Sequence, residues 1–293
     1  MTYTLGGTGI WNAGLRFGDR SERAESAAEV EELGYTAVWV PDVGGDDLFD
    51  TLKALLSATN RITVATGILN LWMHDPAEAG RQYTAATAEH GRRLLMGIGV
   101  SHAPLVEQTG VGAYRKPLAR MQEFLDGLDA APSPVPAEDR VLAALGPKTL
   151  ELARGRSAGA HPYLVTPEHT SVAREVLGPD KLLAPEQGAV LESDPARARA
   201  IARAALSVYF GLPNYVNNWK RYGFTDEDVA EPGSDRLVDA LVVWGDEATI
   251  AARVQEHRDA GADHVCVQVL TDDPAGLAAF PREEWRRLAS ALV

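Results

Sequence analysis

Cysteine is scarce in this chain of 293 residues, and neither a long apolar run nor an excess of basic residues is present. The single cysteine, Cys266, excludes an intramolecular disulfide and favours a reducing compartment. No apolar run approaches the roughly 20 residues of a membrane span, and the first residues lack the features of a signal peptide. We therefore predict a cytoplasmic protein with no membrane partner.

The charge balance is acidic, with 28 Lys and Arg against 41 Asp and Glu. The formal net charge of -13 argues against a nucleic-acid partner, although a local basic pocket for a phosphate stays possible. Hydrophobic residues make up 45% of the chain, which is enough for a large buried core.

Several catalytic motifs are missing as well. The sequence has no His-x-His at the end of a strand-like run, no cluster of His and carboxylates with metal-ligand character and no Gly-x-Ser-x-Gly elbow. A phosphate loop of the GxxxxGK[ST] type is also absent. We predict no metal site and disfavour a metal-dependent hydrolase.

Short apolar strands alternate with amphipathic helices along the chain. The clearest strands are YTAVWV, ITVATGIL, LLMGIGV, VLAAL and HVCVQVL, and helices are predicted at 21–33, 46–58, 75–90, 115–128 and 247–260. About eight such units favour one (β/α)₈ barrel domain over residues 1–293. A doubly wound sheet is the alternative. Residues 211–235 are predicted to be a loop-rich insertion or lid.

In a barrel of this kind the site lies where the strands end. The residues just past the apolar runs include Asp42, Thr166, Glu186 and Gln187. Glycine follows two of the runs, in GIG at 97–99 and GPK at 146–148. Glycine lets a backbone approach a ligand closely, and a helix that opens at Lys148 favours a phosphate. For a lone Gly-x-Gly, ordinary turn chemistry is the more common explanation.

Five segments together resemble the luciferase-like monooxygenase superfamily. They are TGILNLWMHDPAE, GIGVSH, AALGPKTLELA, AHPYLVTPEHT and AGADHVCVQV. The chain is most similar to the actinobacterial branch of oxidoreductases that use the deazaflavin coenzyme F-420. Each motif alone is weakly specific, but their order and spacing cover nearly the whole chain. The family fold is a (β/α)₈ barrel, in agreement with the strand count.

The resemblance implies a cofactor site at the mouth of the barrel. A non-proline cis peptide behind the ring would fall at Gly67–Ile68. The implied cofactor-binding residues are Gly67, Ile68, Asn70, Gly99, Val100 and Ser101 around the ring, and Gly146, Pro147, Lys148 and Thr166 at the ribityl chain and phosphate. Separately, Trp11 and Trp72, with the segment around Tyr215 and Trp219, are candidates for an apolar substrate chamber. The alternative makes Trp11 a core residue and Trp219 a packing residue under a loop.

One position departs from the family pattern. Several relatives carry Asp-His after the second strand, whereas this chain has Asp42 and Val43. His102, which stands where several relatives place a glutamate, becomes the candidate acid or base, because imidazole titrates near neutral pH. The alternative is a loop histidine that only hydrogen-bonds backbone. Asp42 is a second catalytic candidate or a cap of the following turn. His74 is interpreted as structural.

We therefore expect an oxidoreductase that transfers a hydride between coenzyme F-420 and a small organic substrate. The alternatives are an FMN-dependent monooxygenase on the same scaffold and a barrel that binds the cofactor without catalysis. The resemblance also implies a homodimer.

Overall fold

The computed structural model describes residues 5–42, 47–108 and 114–293. Parallel strands alternate with helices along these residues. The strands are β1 (Thr8–Trp11), β2 (Ala37–Val40), β3 (Thr63–Thr66), β4 (Leu69–Asn70), β5 (Leu94–Gly99), β6 (Arg140–Leu142), β7 (Gly159–Ala160), β8 (Leu182–Leu183), β9 (Glu186–Val190), β10 (Val242–Trp244) and β11 (Val265–Val269).

The helices cover the outside of the sheet. They are α1 (Gly14–Phe17), α2 (Arg20–Glu32), α3 (Leu48–Ala58), α4 (Pro76–His90), α5 (Ala103–Gln108), α6 (Pro117–Ala130), α7 (Pro147–Arg156), α8 (Pro167–Leu177), α9 (Pro195–Leu206), α10 (Pro213–Arg221), α11 (Asp226–Val229), α12 (Asp235–Leu241), α13 (Glu247–Asp259) and α14 (Arg282–Leu292). Asp46, where the sequence predicted the start of the second helix, lies outside the described residues.

The sheet closes on itself through one interrupted strand. β8 pairs with β7 and β9 pairs with β11, and the ladder continues through the break between them. There the Ala184 N–H donates to the Ala160 carbonyl at 2.9 Å, and the Cys266 N–H donates to the Pro185 carbonyl at 3.0 Å. With β8 and β9 counted as one strand, the ring runs β1, β2, β3, β5, β6, β7, β8/β9, β11 and returns to β1. The predicted (β/α)₈ barrel is confirmed.

The helix boundaries follow the capping chemistry of the sequence. Asp75 caps α4 by accepting the Glu78 N–H, and Pro76 occupies the first turn. Glycines with left-handed backbone follow α2 and α13, at Gly34 and Gly261, with φ of 94° and 103°.

Segment 211–235 differs from the prediction. It is mostly helical, with α10 and α11 inside it and α12 beginning at its end. Tyr215 and Trp219 of α10 are buried, and the Trp219 indole donates to the Leu164 carbonyl at 3.1 Å. The glycines and prolines of this segment lie at the ends of short helices and in the turns between them, whereas Asn217 and Asn218 lie within α10.

Inside the barrel, small and apolar residues pack around Trp11 and Trp39, and His161 and His264 contact Trp39. Trp39 stacks on His161 with ring centroids 4.1 Å apart, and its indole N–H donates to His264 Nε2 at 3.1 Å. Cys266 is fully buried and belongs to the same cluster. Gly97 is required by packing, because a Cβ there would lie 2.0 Å from the Thr66 carbonyl oxygen.

Candidate active site

Asp42 follows β2 and organises the loop after β4. Its Oδ2 accepts the Asn70 N–H at 3.0 Å and lies 2.8 Å from His74 Nε2. The residue is only 4% exposed, so both contacts are sheltered from water. The Asn70 side chain holds the next part of the loop, because its Oδ1 accepts the Trp72 N–H at 3.2 Å. These contacts give Asp42 a positioning role, while its proposed catalytic role stays a prediction.

The peptide between Gly67 and Ile68 is cis, at the position that the family resemblance indicated. The Trp11 indole donates to the Gly67 carbonyl at 3.0 Å and packs against this backbone. A Cβ on Gly67 would lie 2.7 Å from that indole nitrogen and 3.2 Å from His161 Nε2. Trp11 therefore supports the back of the site, and glycine is the residue that fits in front of it.

Strand β5 supplies the neighbouring part of the same wall. Asn70 and Gly99 are partners in the β4–β5 ladder, and a Cβ on Gly99 would lie 2.5 Å from Ile68 Cδ1. The Trp72 indole donates to the Val100 carbonyl at 2.8 Å. Ser101 follows with a left-handed φ of 53°, which turns the chain out of the strand. The structure thus brings the residues predicted around the ring into one continuous surface.

His102 lies at the edge of this surface, facing the segment that follows α9. Its Nδ1 is 3.3 Å from the Asn214 side-chain oxygen, and its ring lies 5.2 Å from that of Tyr215. Burial lowers the pKa of His102, and the contact with Asn214 opposes that shift in part. A neutral imidazole at the mouth can accept a proton from a bound molecule or donate one to it.

The residues predicted to hold a phosphate lie at two helix N-termini. Gly146 is the N-cap of α7, with Pro147 and the exposed Lys148 in its first turn, and Thr166 is the N-cap of α8. Both ends expose backbone N–H groups and carry the positive end of a helix dipole.

Arg221 approaches the same place from α10 and was not predicted. Its two terminal nitrogens lie 4.0 Å from the position that a Cβ would take on Gly146. The buried Asn218 accepts from its guanidinium at 2.9 Å and orients it. The arrangement can bind an anion through one guanidinium and helical N–H groups. The only sequence signal for Arg221 is its place at the end of the first helix in the predicted insertion.

A polar cluster in the barrel wall was also missed. Glu186 and Gln187 were recognised at the end of a strand, but they point to opposite sides. Gln187 lies 3.0 Å from His257 Nε2 on the helix side. The fully buried Glu186 accepts the Leu164 N–H at 3.0 Å through Oε2, and its Oε1 has no hydrogen-bond partner among the described residues.

Burial raises the pKa of Glu186 to about 8, although the Leu164 N–H favours the charged form. The carboxyl is therefore protonated at neutral pH. It lines a small cavity whose other walls include Tyr163, Tyr209 and Gln268. The Tyr163 hydroxyl donates to Gln268 Oε1 at 2.8 Å and lies 3.1 Å from the Tyr209 hydroxyl.

Aromatic contacts connect this cluster with the mouth of the barrel. The Tyr163 ring lies 5.5 Å from Trp11 and 6.2 Å from Tyr215. Tyr215 in turn contacts His102, so Tyr163 stands between the wall at Gly67 and the histidine. Trp11, predicted to contact substrate, is 5% exposed and Trp72 is partly exposed.

No group of three or more His, Cys, Asp or Glu side chains is arranged to hold a metal ion within the described ranges. Nor do the described residues include a helix long and apolar enough to span a membrane.

Comparison with known proteins establishes the family. The luciferase-like monooxygenase family model matches residues 8–264, and the chain therefore belongs to that family and is an enzyme. A Mycobacterium tuberculosis protein named as a coenzyme F-420-dependent oxidoreductase is 24% identical over 291 residues, covering 76% of this chain and 83% of that protein. A 5,10-methylenetetrahydromethanopterin reductase of Methanolobus tindarius is 24% identical over 305 residues, covering 86% and 90%.

A solved structure extends the likeness over the whole fold. The coenzyme F-420-dependent tetrahydromethanopterin reductase of Methanopyrus kandleri superposes with a TM-score of 0.77 at 16% identity and covers 99% of each chain. At this identity the match supports the barrel fold and leaves the substrate open.

Proposed function

We propose that this enzyme is an oxidoreductase that transfers a hydride between coenzyme F-420 and a small organic substrate. Two features of the barrel mouth together carry the proposal. One is the surface formed by Gly67, Ile68 and Gly99, which we call the glycine wall. The other is a candidate anion site formed by Gly146, Lys148, Thr166 and Arg221. The relatives named for F-420 support the choice of cofactor. The substrate, the homodimer, the cytoplasmic location and the single domain over 1–293 stay predictions.

The described residues fit a flat ring that carries a phosphate-bearing chain. Gly67 and Gly99 have no room for a Cβ and leave backbone and Ile68 as the surface behind a ring. Gly146, Lys148, Thr166 and Arg221 supply positive potential where the chain's phosphate would bind. When bound, the deazaflavin supplies the hydride chemistry, and the protein contributes orientation and exclusion of water.

The protein's own groups would act on the substrate side of the ring. Trp72, fixed by Val100, and Tyr215 give a bound substrate apolar surface. His102 stands at the same edge, so it is the group that we assign to hold or move a proton at the substrate. Asp42 keeps the Asn70 backbone in place and thereby shapes the wall.

A cofactor titration tests the proposal. We expect the purified protein to bind F-420 more tightly than FMN, as followed by fluorescence and calorimetry. Arg221→Ala should weaken binding about tenfold, as expected for the loss of one charged contact. Lys220→Ala is the matched control, because Lys220 is exposed and pairs with Asp226. The Lys220→Ala variant should bind F-420 with the same affinity as the wild type.

Turnover separates the remaining alternatives. Protein loaded with F-420 should oxidise or reduce members of a panel of alcohols, aldehydes, ketones and enones, followed by the cofactor's absorbance. Tight binding of FMN alone would contradict the proposal and support the FMN-dependent monooxygenase. Binding of F-420 without turnover on a broad panel would support the non-catalytic barrel.

A further inference from the structure

The buried carboxyl of Glu186 has a free oxygen and faces hydroxyl groups across a cavity. Oε2 is used by the Leu164 N–H, whereas Oε1 has no partner within the described residues. An unsatisfied polar atom inside a barrel is costly, so its persistence calls for an explanation. The same cavity is bordered by Tyr209, Tyr163 and Gln268.

The hydrogen bonds around the cavity give the hydroxyl chain a direction. Tyr163 donates its proton to Gln268 Oε1, so the 3.1 Å contact between the two tyrosines places Tyr209 as donor to Tyr163. The lone pairs of Tyr209 are then able to accept a proton from the cavity side. The hydroxyl chain therefore runs from Tyr209 to Tyr163 and on to Gln268, and Glu186 borders the same cavity as Tyr209.

Tyr163 is the end of the chain that reaches the site. Its ring contacts Trp11, which donates to the Gly67 carbonyl in the wall behind the proposed ring. It also faces Tyr215, which contacts His102. The Tyr163 side chain thus stands between the glycine wall and the histidine, with its hydroxyl held by Tyr209 and Gln268.

We propose that Glu186 is the internal proton reservoir of the hydride-transfer reaction and exchanges its proton with the substrate through Tyr209 and Tyr163. This inference rests on the proposed function. No cation neutralises Glu186 in the described part of the chain. The ionisable groups that sense its charge are Tyr163, Tyr209, Tyr215 and Cys266, all of which are neutral at physiological pH.

The proton and electron balance is simple in the reducing direction. The hydride and its electron pair come from reduced F-420 and form the new C–H bond at a carbonyl carbon. In this path His102 holds the carbonyl oxygen by a hydrogen bond, and Tyr163 turns its O–H from Gln268 to give that oxygen a proton. Tyr163 is then reprotonated by Tyr209, and Tyr209 by the carboxyl of Glu186 across the cavity. Glu186 ends as a carboxylate and regains its proton from solvent after the product leaves. Oxidation of an alcohol reverses each step.

Infrared spectroscopy of the cofactor-free protein tests the protonation state directly. Wild type should show the carbonyl band of a protonated carboxyl at neutral pH, and the band should disappear as the pH rises through about 8. Glu186→Gln should lack it. Glu175→Gln, which changes an exposed acid on α8, should keep it. Absence of this band from wild type at neutral pH would overturn the proposal.

Kinetics of the F-420-loaded enzyme test the role. Glu186→Gln should lower kcat about 100-fold, as expected for a lost acid–base group, with unchanged affinity for F-420. It should also remove the basic limb of the reductive pH profile near the pKa of Glu186. Turnover equal to that of Glu175→Gln would overturn the inference.

Tyr209→Phe keeps the ring and removes the hydroxyl. We expect it to keep the infrared band and to lower kcat, and the double variant with Glu186→Gln should be no slower than Glu186→Gln alone. Full activity of Tyr209→Phe would overturn the path. Failure of F-420 to bind at all would instead contradict the proposed function, with the infrared band then reporting a structural buried acid.

Discussion

Asp42 and His74 are joined by a 2.8 Å contact between Oδ2 and Nε2, although the two residues belong to loops after different strands. In the resemblance described above, several relatives carry a histidine directly after this aspartate. Here an imidazole reaches the same carboxylate from the loop that follows β4. His74 also meets Phe49 edge to face, with ring centroids 5.9 Å apart. The pair thus ties the β2 loop, the β4 loop and α3 together.

Removal of the Asp42 carboxylate should loosen this junction. Asp42→Ala leaves the Asn70 N–H and the His74 ring without their acceptor, and we expect a loss of about 1–3 kcal/mol in the free energy of unfolding. Affinity for F-420 should fall as well, because Asn70 belongs to the wall. Urea denaturation and cofactor titration measure both. Asp180→Ala, at an exposed turn, should change neither, and an equal response of the two variants would contradict the assignment.

Substitution by alanine should affect stability differently at Gly99, which belongs to the glycine wall, and at Gly155, which does not. Gly99→Ala places a Cβ 2.5 Å from Ile68 Cδ1 and 3.1 Å from Ala143 Cβ, so Ile68 must move. We expect about 1–3 kcal/mol of destabilisation and weaker cofactor binding. Gly155 lies within α7 with open space around it, and Gly155→Ala should be neutral or stabilising by up to about 1 kcal/mol. Thermal melting with and without F-420 distinguishes the two outcomes.

The residues of the wall were predictable because each lies where an apolar run ends. The run LLMGIG becomes β5 as a unit, and parallel strands in a barrel must bring such ends to one face. The family resemblance placed the cis peptide at Gly67–Ile68. Neither the glycines nor the histidine alone would have distinguished a ring site from any phosphate loop.

The proton chain could not have been predicted in the same way. Tyr163 meets Tyr209 across 46 positions and Gln268 across 105, and these contacts depend on how the closed barrel meets α9 and the helices that follow it. Strand β10 was missed for a local reason. Leu241 ends α12 and Val242 begins β10, with no glycine, proline or polar residue between them to mark the change.

His102 should matter more for turnover than for cofactor binding. It contacts Asn214 and Tyr215 at the edge of the site and does not support the glycine wall. His102→Ala should therefore lower kcat about 100-fold and leave the affinity for F-420 unchanged. Asn214→Ala serves as a milder variant, since it removes only the contact at Nδ1. If His102→Ala leaves both quantities unchanged, the histidine is structural.

Acid should destabilise the protein before its carboxylates are titrated. Burial lowers the pKa of His161 and His169 to about 4 and of His257 and His264 to about 3. These residues take up protons on unfolding, so their contribution is complete above about pH 6.5 and is lost as the pH falls toward 4. Each contributes about 1.4 kcal/mol per pH unit within that window. Urea midpoints at pH 7 and pH 5 measure the loss, and equal midpoints would contradict it.

Glu186 should give the free energy of unfolding the opposite pH dependence, with a contribution that is lost as the pH rises. Its pKa is raised to about 8 by burial, so the folded protein holds a proton that the unfolded chain releases above about pH 4.5. Its contribution is complete below about pH 4.5, falls by about 1.4 kcal/mol for each pH unit above it and levels off above pH 8. Glu186→Gln cannot ionise and should gain stability relative to wild type over that range.

Equilibrium unfolding of both proteins from pH 5 to pH 9 measures this difference, and Glu175→Gln should follow the wild-type curve throughout. A constant offset between Glu186→Gln and wild type would mean that the carboxyl is ionised in the folded protein at every pH tested. Such a carboxylate, buried without a cation, could not donate the proton that reduction of a carbonyl requires. The stability curve therefore tests the reservoir without any cofactor or substrate.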